Sequence, residues 1–315
     1  MKKNKKHFEI SVGISAFNEE GTIGTVIDSI LEQKQNGWKL KEVLVYSDGS
    51  NDKTCDIAKN KSKLFVKVFD FNTRKGKTYR LNQILKKFRG DILIIFDADI
   101  GISDRYVISN MIEEFKKDKN VKLVGGNSRN YQPKSFFENA ISSSYYVYFK
   151  SRDEIKGGNN VYACTGACLS LARDFAKRLV IPKDVINDDT FFYFSCITMG
   201  FKFRYAKKAI VYFRLASNIK DFLRQMFRNH PEAINAKYKK YFGDLIDKEY
   251  KRSRTFYLKK ILEAFTNNPT GTLFMVLLKI CMKPFYPYFS KNYKLSWFTA
   301  KSTKKELIYY SGESL

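Results

Sequence analysis

The stretch Asp91-Ile-Leu-Ile-Ile-Phe-Asp-Ala-Asp99 constrains the fold more than any other part of the chain. An uninterrupted apolar run, Ile92 to Phe96, ends in two carboxylates spaced i, i+2. The run is short, rich in β-branched residues and apolar on both faces. It therefore reads as a buried central strand of a parallel sheet. Side chains alternate along a strand, so Asp97 and Asp99 can lean the same way at its carboxyl end. That end is where ligands bind in open α/β sheets. Two convergent carboxylates with no His or Cys beside them suit a hard, oxygen-seeking cation such as Mn²⁺ or Mg²⁺. The same residues also suit a plain polar strand end whose carboxylates cap the next turn.

Around this strand the first half of the chain alternates. Strand patterns cover Phe8 to Ser15, Glu42 to Tyr46, Leu64 to Phe69 and Asp91 to Asp97. Helical spacing links them, with Ile23, Val26, Ile27 and Ile30 in one segment and Leu81, Ile84, Leu85 and Phe88 in another. A further helix carries Val107, Ile108, Met111, Ile112 and Phe115. This order predicts a doubly wound α/β fold, mainly parallel, with right-handed crossovers placing helices on both faces of the sheet. The second half is less regular. Val121 to Ser128, Tyr162 to Ala172 and Phe203 to Phe213 read as strands, and Ser135 to Phe149 and Asp189 to Met199 as helices.

The charge balance narrows the partners. Lys and Arg number 57 against 32 acids, a net charge of +25. Such an excess points to an anionic partner: a phosphorylated substrate, an acidic membrane surface or nucleic acid. It equally describes a lysine-coated soluble surface. The five cysteines are odd in number and scattered, as expected of reduced thiols in a cytoplasmic protein. Cys164 and Cys168 lack the further Cys or His that a zinc site needs. The basic start has no apolar stretch of signal-peptide length after it. The most apolar segment, Thr270 to Met282, is too short to span a bilayer and is broken by Lys279.

Polar clusters follow each of the first strands: Ala16-Phe-Asn-Glu-Glu20, Ser47-Asp-Gly-Ser-Asn-Asp52, Asn72-Thr-Arg-Lys-Gly-Lys77 and Asp97-Ala-Asp99. Parallel strands bring such ends into one crevice. Acids for a base and a metal, with Lys and backbone amides for phosphate, describe a nucleotide site. These segments, with Asn187-Asp-Asp-Thr190 and Gln225-Met-Phe-Arg-Asn229, resemble in order and spacing the motifs of family 2 glycosyltransferases. The likeness covers about residues 8 to 230 and rests on the Asp97-Ala-Asp99 "D-x-D" and its companions.

The resemblance implies a GT-A nucleotide-sugar fold and inverting transfer from a nucleoside-diphosphate sugar, most commonly a UDP-sugar, to an acceptor hydroxyl. It places Ala16, Asn18, Glu19, Asp48, Lys77, Asp97 and Ala98 around the donor nucleotide. Asp99, with Asp97, would bind Mn²⁺ or Mg²⁺. Asp189 would be the general base, and Asp188, Gln225 and Arg228 would face the pyrophosphate or acceptor. Ser47, Asp188 and Asn229 depart from the family's motifs, and spanning helices of the synthase type are absent, which favours one-sugar transfer over chain extrusion. Residues 1–230 form the expected catalytic domain. Residues 231–315 form a basic, aromatic-rich helical extension, exemplified by Tyr238-Lys-Lys-Tyr-Phe242, Lys251 to Tyr257 and Lys283 to Phe289. Basic and aromatic residues together suit docking on anionic lipid. The expected setting is thus peripheral, on the cytoplasmic face of the membrane, with a glycan or lipid-linked acceptor in surface-glycan, polysaccharide or glycolipid synthesis. A haloacid-dehalogenase-type phosphatase also ends an apolar strand in Asp-x-Asp, and a basic nucleic-acid-binding module also carries such charge. The first places its motif on an early strand, and the second lacks a stacking platform here, so no nucleic-acid partner is expected.

Overall fold

The computed structural model describes residues 7–185, 187–228, 231–285, 301–304 and 307. Contacts gather them into two compact units. The first draws its described residues from Met1–Arg129, Cys164–Phe213 and Lys304–Leu315, the second from Asn130–Ala163 and Arg214–Thr303. The sequence reading placed a single boundary after residue 230; the contacts part the chain elsewhere.

In the first unit, β1 (Phe8–Ala16), α1 (Ile23–Leu31), β2 (Trp38–Asp48), α2 (Thr54–Lys59), β3 (Val66–Phe71), α3 (Lys77–Lys87) and β4 (Ile92–Asp97) alternate as predicted. They continue into β5 (Gly101–Ile102), α4 (Val107–Lys117) and β6 (Val121–Asn130). After an excursion into the second unit come β7 (Cys168–Ala172), α6 (Arg173–Ala176), α7 (Asp188–Thr198) and β8 (Lys202–Phe213). The sheet runs β3-β2-β1-β4-β7-β6-β8-β5. β2, β1 and β4 pair parallel, as do β2 and β3, whereas β7 is antiparallel to both β4 and β6. The sheet is thus mixed, as expected, with its β3-β2-β1-β4 half parallel throughout.

Ile92 to Phe96 are all buried, with Ile94 and Ile95 fully excluded from water, which is what an apolar run between two neighbouring strands requires. Strand order reverses between β1 and β4, because β2 and β3 lie on one side of β1 and β4 on the other. A crevice opens at the carboxyl ends of such strands. Ser15 stands opposite Asp97 there, so the loop after β1 and the Asp97 end of β4 are neighbours.

The predicted strand Tyr162 to Ala172 is shorter than expected. Only Cys168–Ala172 is strand, Val161–Ala163 is a 3₁₀ turn, and the Cys-Thr-Gly-Ala stretch between them is loop. The reason is local. The Gly166 N–H is spent on the Asp189 carboxylate, at 2.9 Å, rather than on a ladder.

A close backbone approach fixes the turn before β4. A Cβ on Gly90 would lie 2.5 Å from the Ser11 nitrogen and 2.6 Å from the Glu9 oxygen, both backbone atoms that cannot swing aside. Gly90→Ala is therefore expected to cost about 2–3 kcal/mol of stability, at the upper end of overpacking penalties. Urea unfolding monitored by circular dichroism measures it; an unchanged midpoint would contradict the close approach.

The second unit holds α5 (Phe136–Glu154), α8 (Ile219–Arg228), α9 (Pro231–Phe242), α10 (Leu245–Tyr250), α11 (Arg254–Asn267) and α12 (Pro269–Met282). Aromatic contacts explain why α5 groups with the later helices. Phe137 meets Phe222 and Phe274 edge-on, at 6.0 and 6.2 Å between ring centres. The Tyr146 hydroxyl donates to Glu263 at 3.1 Å, and Lys260 pairs with Glu154 at 2.9 Å. No helix among the described residues is long and apolar enough to cross a membrane.

Candidate active site

The loops after β1, β2 and β3 are bonded to one another. Asn18 adopts a positive φ of 53°, uncommon outside glycine. Its N–H donates to Ser50 Oγ at 3.1 Å, and its side-chain oxygen accepts from the Asn51 N–H at 2.9 Å. Asp48 is buried, and its two oxygens accept from the N–H groups of Lys75 and Gly76 at 2.8 and 2.7 Å. Arg80 Nε donates to the same carboxylate at 2.7 Å, and its guanidinium lies 3.8 Å over the Phe71 ring. Asp48 thus holds the Lys75–Gly76 turn in place. Gly49, next to Asp48, has φ +77°, the left-handed backbone with which the loop after β2 turns away from the strand.

The centre of the site is an ammonium among carboxylates. Lys77, the first residue of α3, is buried, with Nζ 2.6 Å from Asp97 Oδ1 and 3.3 Å from Asp188 Oδ1. Burial alone would pull its pKa down, but Asp188 and Asp97 hold the ammonium above the usual lysine range. Asp188 and Asp189 open α7, whose cap position is Asn187, so neither aspartate acts as the N-cap. Asp189 Oδ2 accepts from the Gly166 N–H, and Oδ1 from the Thr190 N–H at 2.6 Å. Burial raises the Asp189 pKa against these bonds and the pull of Lys77. Burial, countered by Lys77 and reinforced by Asp189, also pushes Asp188 up to about 6. Asp188 Oδ2 is buried with no hydrogen-bond partner among the described residues. An unbonded buried carboxylate oxygen is costly to keep, so it marks a place where a hydroxyl or amide is wanted.

Asp99 follows β4 across the buried Ala98. Burial, and then the charge of Asp97, raise its pKa to about 6. Glu19, at the start of the turn into α1, is raised to about 8 by burial and by Asp99. Its partners are the Thr22 hydroxyl at 3.2 Å and Lys304 at 2.6 Å. Lys304 also donates to the carbonyls of Phe17 and of Asn18, the latter at 2.8 Å. Ala16 closes β1, buried directly beneath this loop.

Glu19, Asp97, Asp99, Asp188 and Asp189 thus share Lys77 and Lys304, an excess of negative charge that a cation would offset. No group of three or more His, Cys, Asp or Glu side chains among the described residues is placed to hold a metal by itself. Two oxygen ligands from the chain, with substrate phosphates completing the shell, are how Mg²⁺-type sites are usually built. Asp97 and Asp99 therefore fit Mn²⁺ or Mg²⁺.

The structure brings Ala16, Asn18, Glu19, Asp48, Lys77, Asp97, Ala98, Asp99, Asp188 and Asp189 together in the first unit. Gln225 and Arg228 belong to α8 of the second unit; Gln225 is half-buried, and the Arg228 side chain lies outside the described residues. Next to Gly166, Thr165 donates to Ser128 at 3.1 Å, and Asn127 donates to the Lys207 carbonyl at 2.8 Å. Sequence reasoning missed Arg80 and Lys304. Arg80 left a signal, a cation beside the buried Leu81, Ile84 and Leu85 of α3. Lys304 left none, being far away in the chain.

Residues 11–180 match the family described as Glycosyl transferase family 2. The chain belongs to this family. The family match sets the phosphatase alternative aside. Poly-beta-1,6-N-acetyl-D-glucosamine synthase of Staphylococcus aureus (strain MSSA476) is 25% identical to the transferase over 224 residues, 68% of this chain and 52% of that protein. The Staphylococcus epidermidis synthase of the same name is 31% identical over 121 residues, 38% of this chain and 28% of that protein. The chain thus spans about half the length of the first of these relatives. In fold, it is similar to a mannosyltransferase from Pyrobaculum calidifontis in complex with GDP-Man and Mn²⁺, with a TM-score of 0.58 at 18% identity over 90% of this chain and 84% of that one. Glucosyl-3-phosphoglycerate synthase from Mycobacterium tuberculosis, in complex with Mn²⁺, UDP and glucosyl-3-phosphoglycerate, gives 0.50 at 18% identity over 75% and 80%. At these identities the likeness is one of fold, and it agrees with the GT-A class.

Proposed function

We propose that the transferase moves one sugar from a nucleoside-diphosphate sugar, a UDP-sugar first among donors, to an acceptor hydroxyl with inversion at the anomeric carbon. The observation that carries this reading is the interleaved cluster of Asp97, Asp99, Asp188, Asp189 and Lys77 at the strand ends. The Mn²⁺ and nucleotide in the two solved fold relatives support it. The nucleoside lies on the β1 and β2 ends, against Ala16, Asn18 and Glu19 and over the turn that Asp48 holds. Asp97 and Asp99 would hold Mn²⁺ or Mg²⁺, and such a cation would screen the charge growing on the departing diphosphate.

Asp189 takes the acceptor proton as the acceptor oxygen bonds to the anomeric carbon, and the bond to the nucleoside diphosphate breaks on the opposite side. Its carboxylate is aimed by the N–H groups of Gly166 and Thr190. Lys77 fixes Asp97 and Asp188 by ion pairs at 2.6 and 3.3 Å. The unbonded Oδ2 of Asp188 accepts from a hydroxyl of the transferred sugar or the acceptor. A glycan or lipid-linked acceptor, met at the cytoplasmic face of a membrane, suits the family's polysaccharide synthases and the basic composition.

A panel of nucleotide sugars with Mn²⁺, with and without chelator, tests the reading by nucleoside diphosphate release. Release from one donor, abolished by chelator, is the expected result. No release together with no nucleotide-sugar binding by calorimetry would remove it.

Lys304 gives a sharper check of the nucleoside side. Lys304→Met leaves the Glu19 carboxylate buried without its cation and frees the Phe17 and Asn18 carbonyls. Hydrogen bonds to charged groups contribute about 1.5–3 kcal/mol, so the donor KM is expected to rise about tenfold or more. kcat should change little, and Lys304→Arg should recover part of the loss. Equal effects on kcat and KM would place Lys304 elsewhere in the reaction.

A further inference from the structure

We propose that the outer sides of α11 and α12 dock onto an anionic lipid bilayer, lying in its interface without crossing it. The inference concerns the second unit alone and does not depend on the donor chemistry.

Each helix buries one side and leaves an apolar row on the other. α11 buries Lys260 and Ala264, yet Leu258 and Leu262 are 59% and 66% exposed. α12 buries Gly271, Thr272 and Met275, while Leu273, Leu277 and Ile280 are 50%, 53% and 62% exposed. The spacings, i, i+4 on α11 and i, i+4, i+7 on α12, put each row along one side of its helix. Phe285, just beyond α12, is exposed as well. Soluble surfaces scatter such residues singly; rows of them mark an interface.

Charge decides the occupant. Residues 251–285 hold seven Lys and Arg against a single acid, Glu263. Glu263 is engaged by Lys260 at 3.0 Å, which leaves Lys251, Arg254, Lys259, Lys279 and Lys283 exposed beside the apolar rows. Apolar side chains flanked by long cations, whose stems can reach past a buried row to lipid phosphates, suit an anionic interface. A second copy of this face would set like charges against each other. At 14 residues each, the two helices fall short of the roughly 20 residues a span requires. The structure also narrows the sequence expectation, which gave docking to all of 231–315. Of the Tyr238–Phe242 run, Tyr238 is buried and Tyr241 and Phe242 are half-buried, so its aromatics form no exposed row. The Tyr286–Phe289 part of the other aromatic run lies outside the described residues.

Cys281 offers a direct readout, because it is exposed on α12 while Cys55, Cys164, Cys168 and Cys196 are buried. A solvatochromic fluorophore on Cys281 of the full chain should shift to the blue when phosphatidylcholine vesicles containing about one third phosphatidylglycerol are added at low salt, and not with phosphatidylcholine alone. In sedimentation with the same vesicles, the unlabelled Leu262→Glu/Leu277→Glu variant should bind at least tenfold more weakly at an unchanged circular dichroism spectrum. If that spectrum changes, Leu258→Ser/Leu273→Ser is read in its place. No blue shift with the anionic vesicles would overturn the proposal, as would equal binding by the folded variant. A blue shift that grows with protein concentration in the absence of lipid would overturn it in favour of self-association.

Discussion

Asp99→Asn is expected to lower donor turnover by about a thousandfold, the several kcal/mol that cation stabilisation of a leaving diphosphate supplies. Initial rates of nucleoside diphosphate release across a Mn²⁺ titration measure it. Wild-type protein should respond steeply to the metal, and the variant should stay flat. The folded state should move the other way. Burial and the Asp97 charge raise the Asp99 pKa to about 6. A carboxyl raised on folding contributes its stability below its unfolded pKa, and that contribution is lost as pH rises through about 6. At pH 8 without metal, Asp99→Asn should therefore unfold at the same temperature as wild type or higher. A variant that loses activity while gaining stability separates a functional carboxylate from a structural one. Full activity in the variant would remove the metal role.

Asp189→Asn is expected to cost 10²–10⁴-fold in transfer, the usual range for removal of a general base. Donor binding by calorimetry should persist, because the amide keeps the volume and the oxygen that accepts from Gly166. The wild-type rate should fall on the acid side at a pH above the ordinary aspartate range, since burial raises this carboxyl. The sign follows from the role. A base works ionised, so activity rises with pH through its pKa and levels off above it. The variant's residual rate should lack that limb. An acid limb of equal size in both proteins would hand the proton to another group.

The parts of the fold that were legible in the sequence were those with local causes. The apolar run from Ile92 to Phe96 has the length and β-branching of a strand buried on both faces, and β4 takes that place. The crossover helices were legible from the spacing of Ile23, Val26, Ile27 and Ile30 and of its counterparts, and these residues are buried. Pairing across distance was not. Nothing local tells Cys168–Ala172 to run antiparallel to β4, because the direction follows from where the chain returns from its excursion through α5. The boundary after residue 230 follows composition, whereas the aromatic face of α5 ties residues 130–163 to later helices. In the site, Asp97 and Asp99 were legible because strand ends collect ligand-binding carboxylates, and Asp188 and Asp189, which open α7, only through the resemblance. Lys304 was not, since a buried cation is justified only by its acids, and Glu19 comes from a distant segment.

The Glu19–Lys304 pair has a consequence for how the enzyme is made. Lys304 and Asn18, whose carbonyl it also holds, stand 286 positions apart in the chain. Translation delivers the loop after β1 well before the cation that pairs with it. Every strand of the sheet, β1 to β8, is synthesised before residue 304 exists. A nascent chain can thus assemble the sheet while Glu19 still lacks its counter-charge, and the loop after β1 gains its last contacts only once residue 304 is free to fold back. Products broken off before residue 304 would carry Asp97, Asp99, Asp188 and Asp189 but leave the buried Glu19 without its cation.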